Sequence, residues 1–166
     1  MGAATGTAPD DNPAPGARQA RANRYSGRPF SENPRMFQQL PAVVVLLTVL
    51  LQAGTAYRVG RARALYGVKA PATSGHELFD RAFRVQMNTL ESTLMFLPAL
   101  WLAASYGAPL WAGIAGLVWV LGRVWYAAGY LRDPARREGG FIVAAIGLVA
   151  TLLIGTIGLG KALLLG

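Results

Sequence analysis

The amino-acid sequence predicts an all-α integral membrane protein, built as an up-down bundle of four transmembrane helices. Three observations favour this fold class. Only 14% of the 166 residues are charged, whereas a soluble domain carries about 25%. The hydrophobic residues, 53% of the chain, fall into four long blocks, and a membrane helix needs roughly 20 apolar residues. None of the blocks alternates apolar and polar residues with the period of two that membrane strands require.

Four helices are predicted in chain order, at about residues 40–63, 79–105, 109–131 and 139–165. Residues 40–57 contain no charged side chain. The apolar blocks of the other three helices each contain one charged residue, and these are Glu91, Arg123 and Lys161. A water-soluble bundle would need a polar outer face on every helix, and the first and fourth blocks have none. The membrane domain is therefore predicted to span residues 38–166.

Residues 1–37 are predicted to form a disordered tail. The segment is rich in Ala, Pro, Gly and Arg and has no apolar run, so it cannot bury enough surface to offset its ordering entropy. It also lacks the apolar core of a signal peptide. Met36 lies four residues before the first block, and one hypothesis is that translation starts there.

The scarcity of Cys and His excludes several classes of function. The chain has no cysteine and a single histidine, His76. It therefore cannot form a disulfide scaffold, a thiolate metal site or a cysteine nucleophile, and one histidine is too few for a histidine metal cluster. We expect no metal cofactor and no nucleic-acid partner.

The basic residues are concentrated in two of the three predicted connections. Six Lys or Arg residues lie between Arg58 and Arg84, and three lie between Arg132 and Arg137. The connection at residues 105–109 has none. Because positively charged loops stay in the cytoplasm, both basic connections are predicted to be cytoplasmic and both termini to lie on the opposite side.

Polar residues inside the second predicted helix form one stripe. At 100° per residue, Arg81, Arg84, Asn88 and Glu91 fall within an arc of about 80°, while Gln86 points almost the opposite way. A charge at the centre of a membrane helix costs about 2.5–3.5 kcal/mol on insertion scales. The stripe therefore requires a partner or a function.

A matching face exists on the third predicted helix, where Trp119, Arg123, Tyr126 and Tyr130 recur at steps of four, three and four. Arg123 and Glu91 both lie about 10 Å below the basic surface, at a rise of ~1.5 Å per residue, so they can meet within a chain or between subunits. One interpretation is a simple ion pair. The other is a pocket for a zwitterionic ligand with several carboxylates, which Arg and Glu side chains together can bind.

These motifs resemble the MAPEG family, the membrane-associated proteins in eicosanoid and glutathione metabolism. The resemblance begins at VLLQAGTAYRVGRAR, continues through FDRAFRVQMNTLE and ends with GRVWYAAGYLRDPARR, and it covers roughly residues 40–165. The pattern is most similar to the branch of microsomal glutathione S-transferase 2 and leukotriene-C synthase. The resemblance implies a homotrimer with glutathione held between adjacent subunits on the cytoplasmic side.

The resemblance also implies an enzyme, a glutathione transferase with glutathione as co-substrate. Arg137 corresponds to the catalytic arginine that faces the glutathione sulfur. A thiol has an ordinary pKa of about 8.5, and a guanidinium beside it favours the nucleophilic thiolate. The thiolate would attack lipophilic electrophiles from the bilayer or reduce lipid hydroperoxides. The family's glutathione contacts correspond here to Arg63, Arg84, Gln86, Asn88, Glu91, Arg123, Tyr126 and Tyr130.

Two departures from the family pattern bear on the substrate. The leukotriene-forming branch has two successive arginines at the end of the first helix, and here Arg63 is followed by Ala64. The family often has Tyr after the helix-2 glutamate, and here Ser92 follows Glu91. We therefore expect general transferase or peroxidase activity rather than dedicated eicosanoid synthesis.

Two other functions remain open from the sequence. One is a non-catalytic MAPEG-type protein that binds lipid or acts as a scaffold. The other is a small exporter in which Glu91 exchanges protons, although the neighbouring arginines would repel a cationic substrate. Gly147, Thr151 and Gly155 recur at steps of four in the last helix, a small-residue stripe that permits close helix contact and fits an oligomer.

Overall fold

The computed structural model describes Gly2 and residues 34–165, with side chains from residue 38 onward. Every element in residues 34–165 is helical, which confirms the all-α class for this part of the chain. The elements are α1 (Pro34–Tyr66), α2 (Glu77–Tyr106), α3 (Pro109–Arg132), a short 3₁₀ helix (Pro134–Arg137) and α4 (Glu138–Leu165).

The start of α1 differs from the predicted boundary. The helix begins at Pro34, so residues 34–37 are helical instead of belonging to a tail. Proline suits a first helical position, because its φ is already helical and the missing N–H would have no intrahelical partner. The rest of the predicted tail, residues 3–33, lies outside the described residues.

Local signals fix the end of α1 and the start of α2. Gly67 follows α1 with a φ of 66°, and the Val68 N–H donates to the Arg63 carbonyl at 3.1 Å, as expected of a glycine helix terminus. His76 precedes α2, and its Nδ1 accepts from the Leu78 N–H at 3.2 Å. Its ring also stacks on Tyr66 at 3.9 Å, which ties the end of α1 to the start of α2.

Three stretches of helix are long and apolar enough to cross a membrane, and they are Gln38–Tyr66, Pro109–Arg132 and Pro134–Leu165. The chain is therefore an integral membrane protein. The helix α2 does not meet the same criterion within the described residues, and its first half carries five charged residues, which are Glu77, Asp80, Arg81, Arg84 and Glu91. Its crossing of the membrane remains a prediction.

The helices pack around an aromatic core. The rings of Phe96 in α2 and Trp119 in α3 stack at 3.9 Å, and both side chains are fully buried. Val44 of α1 and Ala144 of α4 pack against the same cluster. All four helices therefore contribute to one core, which fixes how α2 and α3 face each other at the candidate site.

The small-residue stripe of α4 is used inside the chain. Gly147, Thr151 and Gly155 are all buried. A Cβ added at Gly147 would lie 2.5 Å from the Trp119 backbone nitrogen, and one at Gly155 would lie 2.9 Å from that of Ala103. The stripe thus lets α4 approach α3 and α2 of its own chain, and it does not support an oligomer as the sequence had suggested.

Candidate functional site

Arg123 lies at the centre of the candidate site, on the buried face of α3. Its side chain is 1% exposed. Nη1 and Nη2 both donate to Asn88 Oδ1 at 3.0 Å, and Nη2 also donates to Thr89 Oγ1 at 2.8 Å. Nε has no hydrogen-bond partner among the described residues. Two neutral side chains of α2 therefore hold this guanidinium, and no carboxylate of the described residues lies within 4.0 Å of it.

A row of side chains, in which two tyrosines lie between two arginines, leads from Arg123 towards the 3₁₀ helix. The Arg123 guanidinium lies 4.2 Å from the centre of the Tyr126 ring. The Tyr126 and Tyr130 rings are 5.7 Å apart, and the Arg137 guanidinium lies 5.6 Å from the Tyr130 ring. Both cations are within the range of cation–π attraction. We call these four residues the arginine–tyrosine ladder.

A cavity of about 420 Å³ opens beside the ladder, a volume typical of small-molecule sites. Arg137, Tyr126 and Asn88 supply polar groups, and Glu138 adds a carboxylate. Phe141 and Ile142, each more than half exposed, form an apolar edge on α4. We call this the Arg137 cavity, and its lining is Asn88, Tyr126, Arg137, Glu138, Phe141 and Ile142.

Other residues of the predicted α2 stripe line separate cavities. Arg84 and Glu91 share a cavity of about 360 Å³ with Asp80. Glu91 also lines a smaller one, of about 140 Å³, together with Asn88 and Arg123. Glu91 and Arg123, which were predicted to lie at the same depth, therefore line one cavity. They form no ion pair in the structure, because the Arg123 guanidinium donates to Asn88 and Thr89 instead.

Arg81 has a structural role at the end of the stripe. Its guanidinium pairs with Glu77 one turn earlier and donates to the Arg132 carbonyl at 3.2 Å. The start of α2 is thereby tied to the end of α3. Arg81 lines none of the cavities described above.

The structure does not bring Arg63 and Gln86 to the Arg137 cavity of their own chain. Arg63 Nη1 donates to the Ala72 carbonyl at 2.8 Å, and its guanidinium lies 4.7 Å from the Phe79 ring. It therefore holds the loop between α1 and α2. Gln86 is half-buried, and we find no hydrogen bond from it to any described residue.

The sequence pattern did not identify several residues that the structure places at the site. Thr89 was missed because a helical threonine commonly bonds its own i−4 carbonyl, as Thr48, Thr93 and Thr151 do here. Its position directly after Asn88 was the available signal. Glu138 and the apolar pair Phe141 and Ile142 had no polar pattern to mark them. Ser92, noted only as a departure, accepts from Trp119 Nε1 at 3.2 Å and so links α2 to α3.

Comparison with known proteins gives a consistent result. The profile of the MAPEG family matches residues 41–157. An uncharacterized protein of Synechocystis sp. is 46% identical over 114 residues, which cover 69% of this chain and 81% of that protein. Human microsomal glutathione S-transferase 2 is 36% identical, over 75% of this chain and 85% of its own length. Leukotriene C4 synthase of Cavia porcellus is 38% identical over 120 residues, which cover 72% of this chain and 80% of that protein. The chain belongs to the MAPEG family.

Proposed function

We propose that the chain is a membrane glutathione transferase that activates glutathione beside Arg137 and adds it to lipophilic electrophiles. The observation that carries this proposal is the Arg137 cavity, where a guanidinium, a phenol and an amide adjoin an apolar edge on α4. The names of two relatives, microsomal glutathione S-transferase 2 and leukotriene C4 synthase, support the same class of reaction. A polar thiol and an apolar acceptor would meet where these two kinds of surface join.

The charges of the candidate site fit glutathione, which carries two carboxylates and one ammonium group near neutral pH. Arg84 is exposed and is suited to a carboxylate, which a guanidinium group binds through paired hydrogen bonds. Arg123 is held by Asn88 and Thr89 and contributes its positive charge. Glu91 is suited to the ammonium group. Arg123 Nε is buried and has no hydrogen-bond partner within residues 34–165, which is consistent with a cluster that accepts further negative charge. Asn88, Tyr126 and Tyr130 supply neutral hydrogen-bonding groups around it.

Arg137 is proposed to hold the glutathione sulfur as thiolate. In transfer, the thiolate forms a sulfur–carbon bond with the electrophile, and the leaving group departs with its electron pair; if an epoxide opens, its oxygen keeps the pair and takes a proton. In the peroxidase reaction, the thiolate sulfur attacks the terminal oxygen of the hydroperoxide and forms a sulfur–oxygen bond, while the O–O bond breaks and the departing oxygen takes a proton to leave as an alcohol. The thiol of a second glutathione then attacks the sulfur of the resulting sulfenic acid, which forms glutathione disulfide and releases the hydroxyl group as water.

The proposed assembly is a homotrimer of four-span subunits with sites between subunits. The positions of Arg63 and Gln86 fit this assembly, because neither residue reaches the Arg137 cavity of its own chain, so each would contribute to such a site only across a subunit interface. Contacts between helices support the up-down course. Gln52 of α1 donates to Thr93 of α2 at 2.6 Å, whereas the later Val59 packs with the earlier Phe79. The basic connections are proposed to be cytoplasmic.

The proposal is tested by titrating glutathione into the purified protein in detergent. We expect Arg137→Ala to bind glutathione, to form thiolate only at higher pH and to lose about 100-fold in turnover, a loss typical of removing one group that stabilises developing charge. Thiolate is followed by its ultraviolet absorbance, and turnover by conjugation of a chloronitrobenzene.

Arg136→Ala is the matched control. It removes the same charge from the adjacent residue, whose side chain is 72% exposed and lies 3.8 Å from Asp133. The control should keep the thiolate and the turnover of the parent. If Arg137→Ala forms thiolate at the same pH as the parent protein, the proposed role of Arg137 is refuted. If the parent protein binds glutathione but does not conjugate it, a non-catalytic binding protein is favoured instead.

A further inference from the structure

A long groove runs beside α1, on a part of the molecule that the proposed reaction does not use. Two adjoining cavities, of about 580 and 300 Å³, share Gly54, Arg58 and Leu131 in their linings. We call them together the α1 groove. Neither cavity is lined by a residue of the Arg137 cavity.

One end of the α1 groove is basic. Arg58 and Arg61 are exposed and lie about one helical turn apart. Neither forms an ion pair or a side-chain hydrogen bond with another residue of the described range. Arg58 directly follows the uncharged block that ends at Tyr57, so the two guanidinium groups lie where an apolar membrane segment gives way to headgroups.

The other end of the groove is lined mainly by apolar side chains, and its volume is about 300 Å³. Its walls are Leu50 and Leu51 of α1, Val85 of α2, and Val124 and Ala127 of α3. From position 50 to position 58 the helix rises ~12 Å. That is the length of a substantial part of an acyl chain, and it extends directly away from the two arginines.

Gly54 keeps the two parts of the groove connected. It lines both cavities, and a Cβ built at this position would meet no atom within 4 Å. A larger residue would therefore enter the groove without disturbing the packing of the helices. A glycine that no packing contact requires, at the junction of a basic and an apolar compartment, indicates a space that accommodates something else.

We propose that the α1 groove binds one anionic phospholipid. Its phosphate lies between Arg58 and Arg61, and one acyl chain lies along the apolar walls past Gly54. Guanidinium groups are well suited to phosphate, and basic pockets between membrane helices bind anionic headgroups. The site is distinct from the Arg137 cavity, so it does not depend on the proposed transferase activity.

The test counts bound lipids by native mass spectrometry after reconstitution of the full chain. Phosphatidylcholine bilayers with and without phosphatidylglycerol are compared, and soluble glycerol phosphate forms a third arm. We expect one phosphatidylglycerol per chain, with no retained phosphatidylcholine and no retained glycerol phosphate, because both the charge and the acyl chain contribute.

Two variants address the two ends of the groove separately. Arg58→Gln combined with Arg61→Gln should weaken phosphatidylglycerol binding about 30-fold, the equivalent of about 1 kcal/mol for each arginine. Gly54→Leu changes no charge and should weaken binding about tenfold, as if about two methylene groups lost their contacts. Arg136→Gln, an exposed arginine outside the groove, should leave binding unchanged.

Three results would overturn the proposal. The first is equal retention of phosphatidylglycerol by all variants. The second is an equal loss in Arg136→Gln, which would indicate only a general attraction of basic residues to an anionic surface. The third is a change in subunit number with Gly54→Leu while lipid retention is unaltered, which would mean that another copy of the chain covers the groove.

Discussion

At the scale of single residues, the central feature is a charged side chain that the protein interior satisfies with neutral groups. Arg123 is 1% exposed and is held by an amide and a hydroxyl. Removing one acceptor from a buried charged donor leaves its desolvation uncompensated. Thr89, which the sequence pattern did not identify, should therefore matter more than an ordinary buried threonine.

We expect Thr89→Val to lower stability by about 1–3 kcal/mol, because the substitution keeps the shape of the side chain but removes the acceptor at 2.8 Å from Arg123 Nη2. Thr151→Val is the control, since the buried Thr151 hydroxyl bonds only the Gly147 carbonyl of its own helix. Thermal unfolding in detergent compares the two. Equal shifts in melting temperature would mean that Arg123 does not depend on Thr89.

At the scale of elements, α4 can approach α3 closely because glycines lie at their contact. A Cβ added at Gly122, Gly140 or Gly147 would overlap backbone atoms of the facing helix. Backbone cannot move aside as a flexible side chain can, so the spacing of the two helices depends on these positions. That spacing also places Phe141 and Ile142 of α4 beside Tyr126 of α3 in the Arg137 cavity.

Gly147→Ala should therefore destabilise the protein by about 1–3 kcal/mol, the usual cost of overpacking. Gly60→Ala makes the same chemical change in α1, where an added Cβ would meet no atom within 4 Å, and it should be neutral or slightly stabilising. Thermal unfolding in detergent again provides the measurement. A Gly147→Ala protein as stable as the parent would show that α4 can shift without cost.

At the scale of the whole molecule, hydropathy and charge predicted the helical membrane fold, but they could not predict every contact. Blocks of apolar residues identify helices whatever their neighbours are. The rotation of one helix against another depends on packing, which explains why Arg123 binds Asn88 and Thr89 and forms no ion pair with Glu91. The 100° periodicity still placed Arg123, Tyr126 and Tyr130 on one face correctly. Arg63 and Gln86 were carried over by resemblance alone, and a single chain offers no test of them.

The proposed course of the chain is testable by labelling, because the parent has no cysteine. In Ser74→Cys and Ala135→Cys, a membrane-impermeant maleimide should react from the cytoplasmic side. In Ala108→Cys it should react from the opposite side. All three positions are exposed in loops or at the short 3₁₀ helix. Reaction of all three from one side would contradict the four-span arrangement.

The mixed character of α2 has a consequence for how the protein is made. Its first half carries five charged residues, while Pro109 starts α3 only three positions after α2 ends at Tyr106. A segment that enters a bilayer poorly by itself can do so together with the apolar segment that follows it closely. We therefore expect α2 and α3 to enter the membrane as one hairpin during synthesis. A chain truncated before Pro109 and released from the ribosome would leave α2 at the membrane surface, exposed to chaperones and proteases.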